Sequence, residues 1–221
     1  MRDRYPVIGL YAGQPLVLQP GGERSAILKT PLPRAAVTLA GLEGDAQADR
    51  RFHGGPDKAL HQFAVPNYDR LVARFPELAG RALPGAIGEN FSCPELTEDA
   101  VCVGDRWRLG SAEVQITEPR NPCTKIDSRF ELPGLASFIA GERLQGWYLR
   151  VTQPGVVELG DDFALIARPN PTLSLARCLA LVAEHRPAPE TFAALAEASG
   201  LGLEWQRRLR GRLAFLRASA P

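Results

Sequence analysis

Excess charge of either sign is missing from this sequence. Lys and Arg total 26 against 25 for Asp and Glu, a formal net charge of +1. No overall field therefore draws the chain to nucleic acid or an anionic membrane, and anion binding must come from a local site. Long apolar runs are missing too: no stretch approaches the roughly eighteen apolar residues of a membrane span. The opening M-R-D-R-Y-P carries charges with no apolar run behind it, so no secretory signal is expected, and the expected location is cytoplasmic. Histidine and cysteine are scarce. There are three histidines, His53, His61 and His185, and four cysteines, Cys93, Cys102, Cys123 and Cys178, none in C-x-x-C spacing. A structural zinc site or an iron–sulfur cluster built by this chain alone is poorly supported. In a reducing cytosol each thiol is expected to act singly.

The 221 residues leave room for one sizeable core and a small second domain. From Tyr5 to Ala167 the pattern is of short strands stopped by Gly or Pro, such as Y-P-V-I-G-L-Y-A-G, S-A-I-L-K-T and A-A-V-T-L-A-G. The clearest pair is D-R-W-R-L-G-S-A-E-V-Q-I-T. There Trp107 and Leu109 alternate with Arg106 and Arg108, and Gly110-Ser111 makes the turn of a half-buried hairpin. Helical insertions are expected around 67–75 and 135–140. The fold class predicted is mainly β with helical insertions, a barrel over residues 1–167. At R-P-N-P-T, residues 168–172, the period changes to 3.6. Thr172 is expected to cap the first of three helices, which make a small C-terminal domain over 168–221.

Chemistry concentrates in two segments. In N-P-C-T-K-I-D, Cys123 sits after a strand and a proline turn, with Arg120 and Lys125 close enough to favour thiolate. The other cysteines read as small buried hydrophobes. In R-F-H-G-G-P-D-K-A-L-H, a bare Gly54-Gly55 turn lies between His53 and Lys58, where backbone amides could face a ligand oxygen. G-L-E-G-D and G-A-I-G-E-N-F read as loops in which Asp45 and Asn90 could cap backbone amides.

Taken together, G-L-E-G-D-x-Q-A-D, H-G-G-P-D-K-A-L, G-E-N-F-S, V-x-V-G-D and P-R-N-P-C-T-K, in this order, resemble the MOSC domain. The match is to its stand-alone YiiM type, the 6-hydroxylaminopurine resistance proteins, which carries three helices after a MOSC β-barrel. The resemblance implies the molybdenum cofactor (molybdopterin), with Cys123 as metal ligand. His53, Gly54, Gly55 and Lys58 would then cradle pterin and phosphate, Arg120 and Lys125 would reach the phosphate, and Asn121 and Thr124 would stand beside the ligand. Glu89 and Asn90 would orient cofactor or substrate. Cys123, Glu89 and His53 are the catalytic candidates, and the proton donor stays open among Glu89, Asp127 and His53. Pyridoxal phosphate binding is a further family-level association.

The implied reaction is reduction of N-hydroxylated compounds, such as N-hydroxylated purine bases, to amines. The chain lacks four cysteines spaced for a fused ferredoxin-like domain, so electrons are expected from a separate flavin or iron–sulfur protein. Two other enzyme-site readings stay open: a cofactor carrier or sulfur-transfer protein without its own substrate, and a hydrolase with Cys123 as nucleophile and His53 or His61 as base. Arg207, Arg208, Arg210, Arg212 and Arg217 could make the last helix a DNA reader, but a solvated or docking face is the preferred reading, with no nucleic-acid or membrane partner. A homo-oligomer through an edge strand or the helical appendix is compatible with the sequence.

Overall fold

The computed structural model describes residues 3–18, 22, 24–48 and 54–218. The expected hairpin forms as β10 (Arg106–Leu109) and β11 (Ala112–Pro119), with Leu109 opposite Ala112 across a two-residue turn. Gly110 adopts φ +58°, and a Cβ there would run into the Val156 carbonyl, so this turn requires glycine. Trp107 and Leu109 are buried while Arg108 is exposed, as alternation demands.

The remaining strands in chain order are β1 (Arg4–Pro6), β2 (Gly9–Ala12), β3 (Leu16–Val17), β4 (Arg24–Ser25), β5 (Thr30–Pro31), β6 (Arg34–Thr38), β7 (Gly41–Leu42), β8 (Leu60–Gln62), β9 (Phe91–Ser92), β12 (Trp147–Gln153), β13 (Gly155–Glu158) and β14 (Asp162–Ala167). The main sheet has the order β1-β14-β10-β11-β12-β8-β9-β2-β5, antiparallel except for β8 and β9. β13-β6-β7 forms a second sheet and β3-β4 a ribbon. Among the described residues no closed barrel forms. β1 and β5, only three and two residues long, end the sheet as edges, whereas closure needs two full-length strands to meet.

The helices are α1 (Val65–Arg74), α2 (Thr124–Phe130), α3 (Leu135–Gly141), α4 (Leu175–Ala183), α5 (Pro189–Ala196) and α6 (Leu203–Ala218). α2, directly after Cys123, is not among the helices expected from the sequence. α4 is capped by Ser174, whose hydroxyl accepts from the Arg177 amide at 3.2 Å, and not by Thr172. Ser174 holds an extended backbone three residues before a free helical N–H, the geometry that capping needs. On α6, Trp205, Leu209, Leu213 and Leu216 bury one stripe.

That stripe does not close a core of its own. One apolar cluster runs from Tyr5, Trp107 and Phe163 in the sheet through Leu175, Cys178 and Phe192 to Leu213 and Leu216. Residues 168–218 carry α4, α5 and α6, and their core is continuous with the sheet's. Asp105 of V-x-V-G-D pins the connector. It is fully buried and takes three bonds from Arg168, the shortest 2.7 Å, and one from the Cys102 amide at 2.8 Å. A smaller cluster of Phe63, Tyr68, Phe130 and Ile139 supports α1 to α3.

Candidate functional site

The floor of the site follows from strand register. Glu118 on β11 lies opposite Tyr148 on β12, which lies opposite His61 on β8. Directly paired residues present side chains to one face, so these three make a row across three strands. The His61 and Tyr148 rings are 5.7 Å apart. Beyond Pro119 the chain leaves β11, and the Arg120 amide bonds the Gly146 carbonyl at 3.0 Å. Asn121 and Pro122 follow, and Cys123 sits in extended backbone (φ −134°) immediately before α2.

Cys123 is half-buried, whereas Cys93, Cys102 and Cys178 are buried. Burial pushes the Cys178 thiol up to about 12 and raises Cys93 and Cys102 as well, which fits inert core thiols. Cys123 lines two connected parts of one cleft, whose shared walls also include Lys58, Arg120 and Tyr148. The first part adds Lys29, Asp45, His61, Asn90 and Lys125. The second, about 390 Å³, adds Glu118, Asn121 and Gln145 with Leu179, Val182, Glu204, Trp205 and Arg208 of the C-terminal helices.

The charges are arranged unevenly. Lys29 is deeply buried and bonds Asp45 Oδ2 at 2.7 Å; burial lowers its pKa against the pull of Asp45. Asp45 also takes the Gly13 amide at 2.9 Å and the Asn90 amide group at 2.8 Å, and Asn90 Oδ1 accepts from the His61 amide. Both residues therefore cap backbone, as expected, and both also face the cleft. Burial pulls Lys58 down, but Glu204 at 2.9 Å and Glu118 at 3.3 Å more than offset it and raise it overall. Burial raises the Glu118 and Tyr148 groups. Arg120 is buried and donates to the Ile87 carbonyl at 2.8 Å; among the described residues it makes no salt bridge.

The expected site residues separate into three groups. Cys123, Lys58, Asn90, Arg120, Asn121 and Lys125 come together in the cleft, with Gly54 and Gly55 in the half-buried turn before Lys58. His53 lies outside the described residues. Glu89, Asp127 and Thr124 are placed elsewhere. Glu89 is fully buried, and its carboxylate takes Tyr68 Oη at 2.5 Å and the amides of Gly85 at 2.6 Å and Ile87 at 3.2 Å. Burial raises its pKa, but it serves a loop off the cleft wall. Asp127 caps the start of α3 through the Ala136 and Gly134 amides. Thr124 is exposed and lines neither part of the cleft.

Sequence reasoning missed Lys29, Glu118, Tyr148 and Gln145. No motif marks them, because strand register and side-chain burial bring them in. It also missed what the H-G-G-P-D-K turn does for the C-terminus. Asp57 accepts the Leu203 amide at 2.8 Å, the first residue of α6, and pairs with Arg150 at 2.8 Å, while Lys58 reaches Glu204. Of the basic run on α6, Arg210 pairs with Glu197 and Arg212 donates to the carbonyls of Val182 and Glu184.

A sheet-rich domain whose cleft-lining thiol stands among cations is the class this geometry defines. The chain belongs to the MOSC domain family, whose model matches residues 49–164. It is 35% identical over 211 residues to Protein YiiM of Escherichia coli K12, covering 95% of this chain and 92% of that protein. The crystal structure of that protein superposes with TM-score 0.80 over 97% of this chain and 94% of that one, at 30% identity. YiiM from Geobacillus stearothermophilus superposes with TM-score 0.78 at 29% identity, over 94% of this chain and 98% of that one. A protein of Gibberella moniliformis named "Reductase" is 34% identical over 139 residues, 62% of this chain but 25% of that protein.

Proposed function

We propose that the cleft holds the molybdenum cofactor and that the protein reduces N-hydroxylated compounds to amines. The observation that carries this reading is Cys123, a half-buried thiol on the wall shared by both parts of a cation-lined cleft. The donor set fits the cofactor. Among the described residues no group of three or more His, Cys, Asp or Glu side chains could hold a metal ion. Molybdenum would take one soft thiolate from Cys123 and its other sulfurs from the dithiolene that the cofactor brings. Lys29, Arg120 and Lys125 supply cations for its phosphate, with Lys58 nearby and the amides of the Gly54-Gly55 turn.

When bound, the group supplies a two-electron redox centre. The protein's part is to position and to exclude water. Tyr148 and His61, both buried, close the floor beneath the thiol. Arg120 is fixed by the Ile87 carbonyl, and Asn90 is held by Asp45, so neither must be ordered on binding. Overall the N–O bond breaks, two electrons and two protons enter, and amine and water leave. The electrons come from a separate flavin or iron–sulfur protein.

The test is molybdenum and pterin content per chain, for wild type and Cys123→Ala made in a cofactor-competent host, followed by turnover of an N-hydroxylated base with a chemical reductant. Wild type should carry both groups and the variant should lose the metal. A wild type that stays empty when offered intact cofactor refutes the reading. One that loads but does not turn over is a carrier.

A further inference from the structure

The last helix has an outer face that nothing else in the chain accounts for. α6 carries five arginines against one glutamate, in a chain whose net charge is only +1. Two of the five are used inside the fold: Arg210 pairs with Glu197, and Arg212 donates to the Val182 and Glu184 carbonyls. Arg207, Arg208 and Arg217 are exposed and make no salt bridge or side-chain hydrogen bond among the described residues. Residues three and four apart are neighbours on a helix, so Arg207, Arg208, Gly211 and Phe215 form one contiguous patch. Phe215 is 67% exposed, the most exposed large apolar side chain among the described residues. An aromatic ring beside unpaired arginines is the composition of an interface core. Gly211 is unusual as well, since a glycine inside a helix costs stability relative to alanine. A Cβ there would meet nothing within 4 Å, and the backbone is not left-handed, so neither packing nor conformation calls for it. It leaves the helix backbone bare between Arg208 and Phe215, open to close approach by a second surface. The patch also adjoins the cleft: Arg208 lines the same second part that Cys123 lines.

We propose that this face docks the electron donor, through an acidic rim that the donor presents around its redox group. The proposal rests on the reading of the protein as a reductase fed by a separate protein, and adds where that protein binds and by what charge. Two electrons leave the donor's reduced flavin or iron–sulfur group for each N–O bond broken, matched by two protons from the medium. A patch this small suits a transient redox encounter, in which the partner must leave after delivery. A second copy of the chain is a poor occupant. A two-fold interface sets one patch against itself and would face Arg207 and Arg208 with their own copies. Duplex DNA would be drawn by the same arginines, but the phenyl ring and bare glycine beside them offer nothing to phosphates.

The experiment titrates the full-length chain, by calorimetry, with an acidic flavodoxin and with an acidic plant-type ferredoxin. Ionic strengths of about 0.01 M and about 0.15 M are compared, across which the screening length falls from about 30 Å to about 8 Å, so binding should weaken steeply. Arg207→Glu should weaken binding about tenfold at low salt and flatten the salt dependence. Phe215→Ser should weaken it by a similar factor and leave the salt dependence as it was. Gly211→Gln should raise the midpoint of thermal unfolding, as a better helix former does, and still weaken docking, a loss that misfolding cannot produce. With a chemical reductant, Arg207→Glu and Phe215→Ser should turn over like wild type, while KM for the protein donor rises. Failure of both probes to bind at low salt, or binding indifferent to all three substitutions, overturns the proposal. So does duplex DNA held on this face more tightly than either donor, or a dimer that Phe215→Ser dissolves. The two readings fail separately. A chain that never loads molybdenum yet binds donor through this face refutes the cofactor reading and leaves the docking surface standing. A loaded, active reductase whose donor rate ignores the three substitutions does the reverse.

Discussion

Replacing Arg168 by Met should cost about 3 kcal/mol of stability, through one buried carboxylate. Asp105 has no exposed side-chain surface and Arg168 keeps 14%. Removing one partner of such a pair typically costs 3–5 kcal/mol, because the other charge stays buried and uncompensated. The residual exposure of Arg168 argues for the low end. For a chain of this size the midpoint of thermal unfolding should fall by about 6–12 °C. The sign of the pH dependence is also fixed. Burial raises the Asp105 carboxyl above its ordinary 3.8, and Arg168 pulls it back. Without Arg168 only the Cys102 amide still opposes burial, so the folded-state value climbs further. The deficit is therefore largest where Asp105 is ionised in both proteins. It closes as the pH falls through the variant's raised value, because a protonated carboxyl needs no cation. Urea titrations of both proteins between about pH 8 and about pH 4 read this directly. A deficit under about 1 kcal/mol, the size seen for exposed pairs, or one that does not change with pH, would refute the reasoning.

Two further outcomes follow from the same logic. Glu89→Gln should lose about 1–3 kcal/mol, because its new amide N–H₂ must face the Tyr68, Gly85 or Ile87 donors. Its cofactor content should match wild type, since the side chain is off the cleft; loss of cofactor in a folded variant would return Glu89 to the site. Lys29→Met leaves Asp45 without its 2.7 Å cation. It should both destabilise the fold and weaken retention of an anionic ligand, measured as inorganic phosphate affinity by calorimetry, with unchanged affinity counting against Lys29 as a cleft cation.

Much of the β segment is legible because period two is a local signal. Trp107 and Leu109 alternate with arginines, and their strand sits where expected. Closure into a barrel is not local: it depends on how far β1 and β5 extend, which their neighbours decide. The helical tail is readable from its 3.6-residue period, but its sharing of a core with Trp107 and Phe163 is not, since packing partners leave no mark in the tail itself. The same divide runs through the site. Cys123, Lys58 and Arg120 stand in motifs with unusual neighbours, and the cleft contains them. Glu89 and Asp127 look equally reactive on paper. In the fold each spends its carboxylate on backbone amides, an outcome that chain composition cannot separate from catalysis. Glu118 and Tyr148 lie in ordinary strands, and only cross-strand register brings them to one face.

The attachment of α6 to the H-G-G-P-D-K turn makes helix docking and ligand binding two sides of one equilibrium. Asp57 fixes the first amide of the helix and Lys58 its Glu204, while the same Lys58 faces the cleft. If undocking α6 weakens a ligand by some factor, that ligand must hold α6 down by the same factor. A filled cleft should then slow amide exchange and proteolysis along residues 203–218, including the turns beyond the cleft-lining Glu204, Trp205 and Arg208, and the tail becomes a gauge of occupancy.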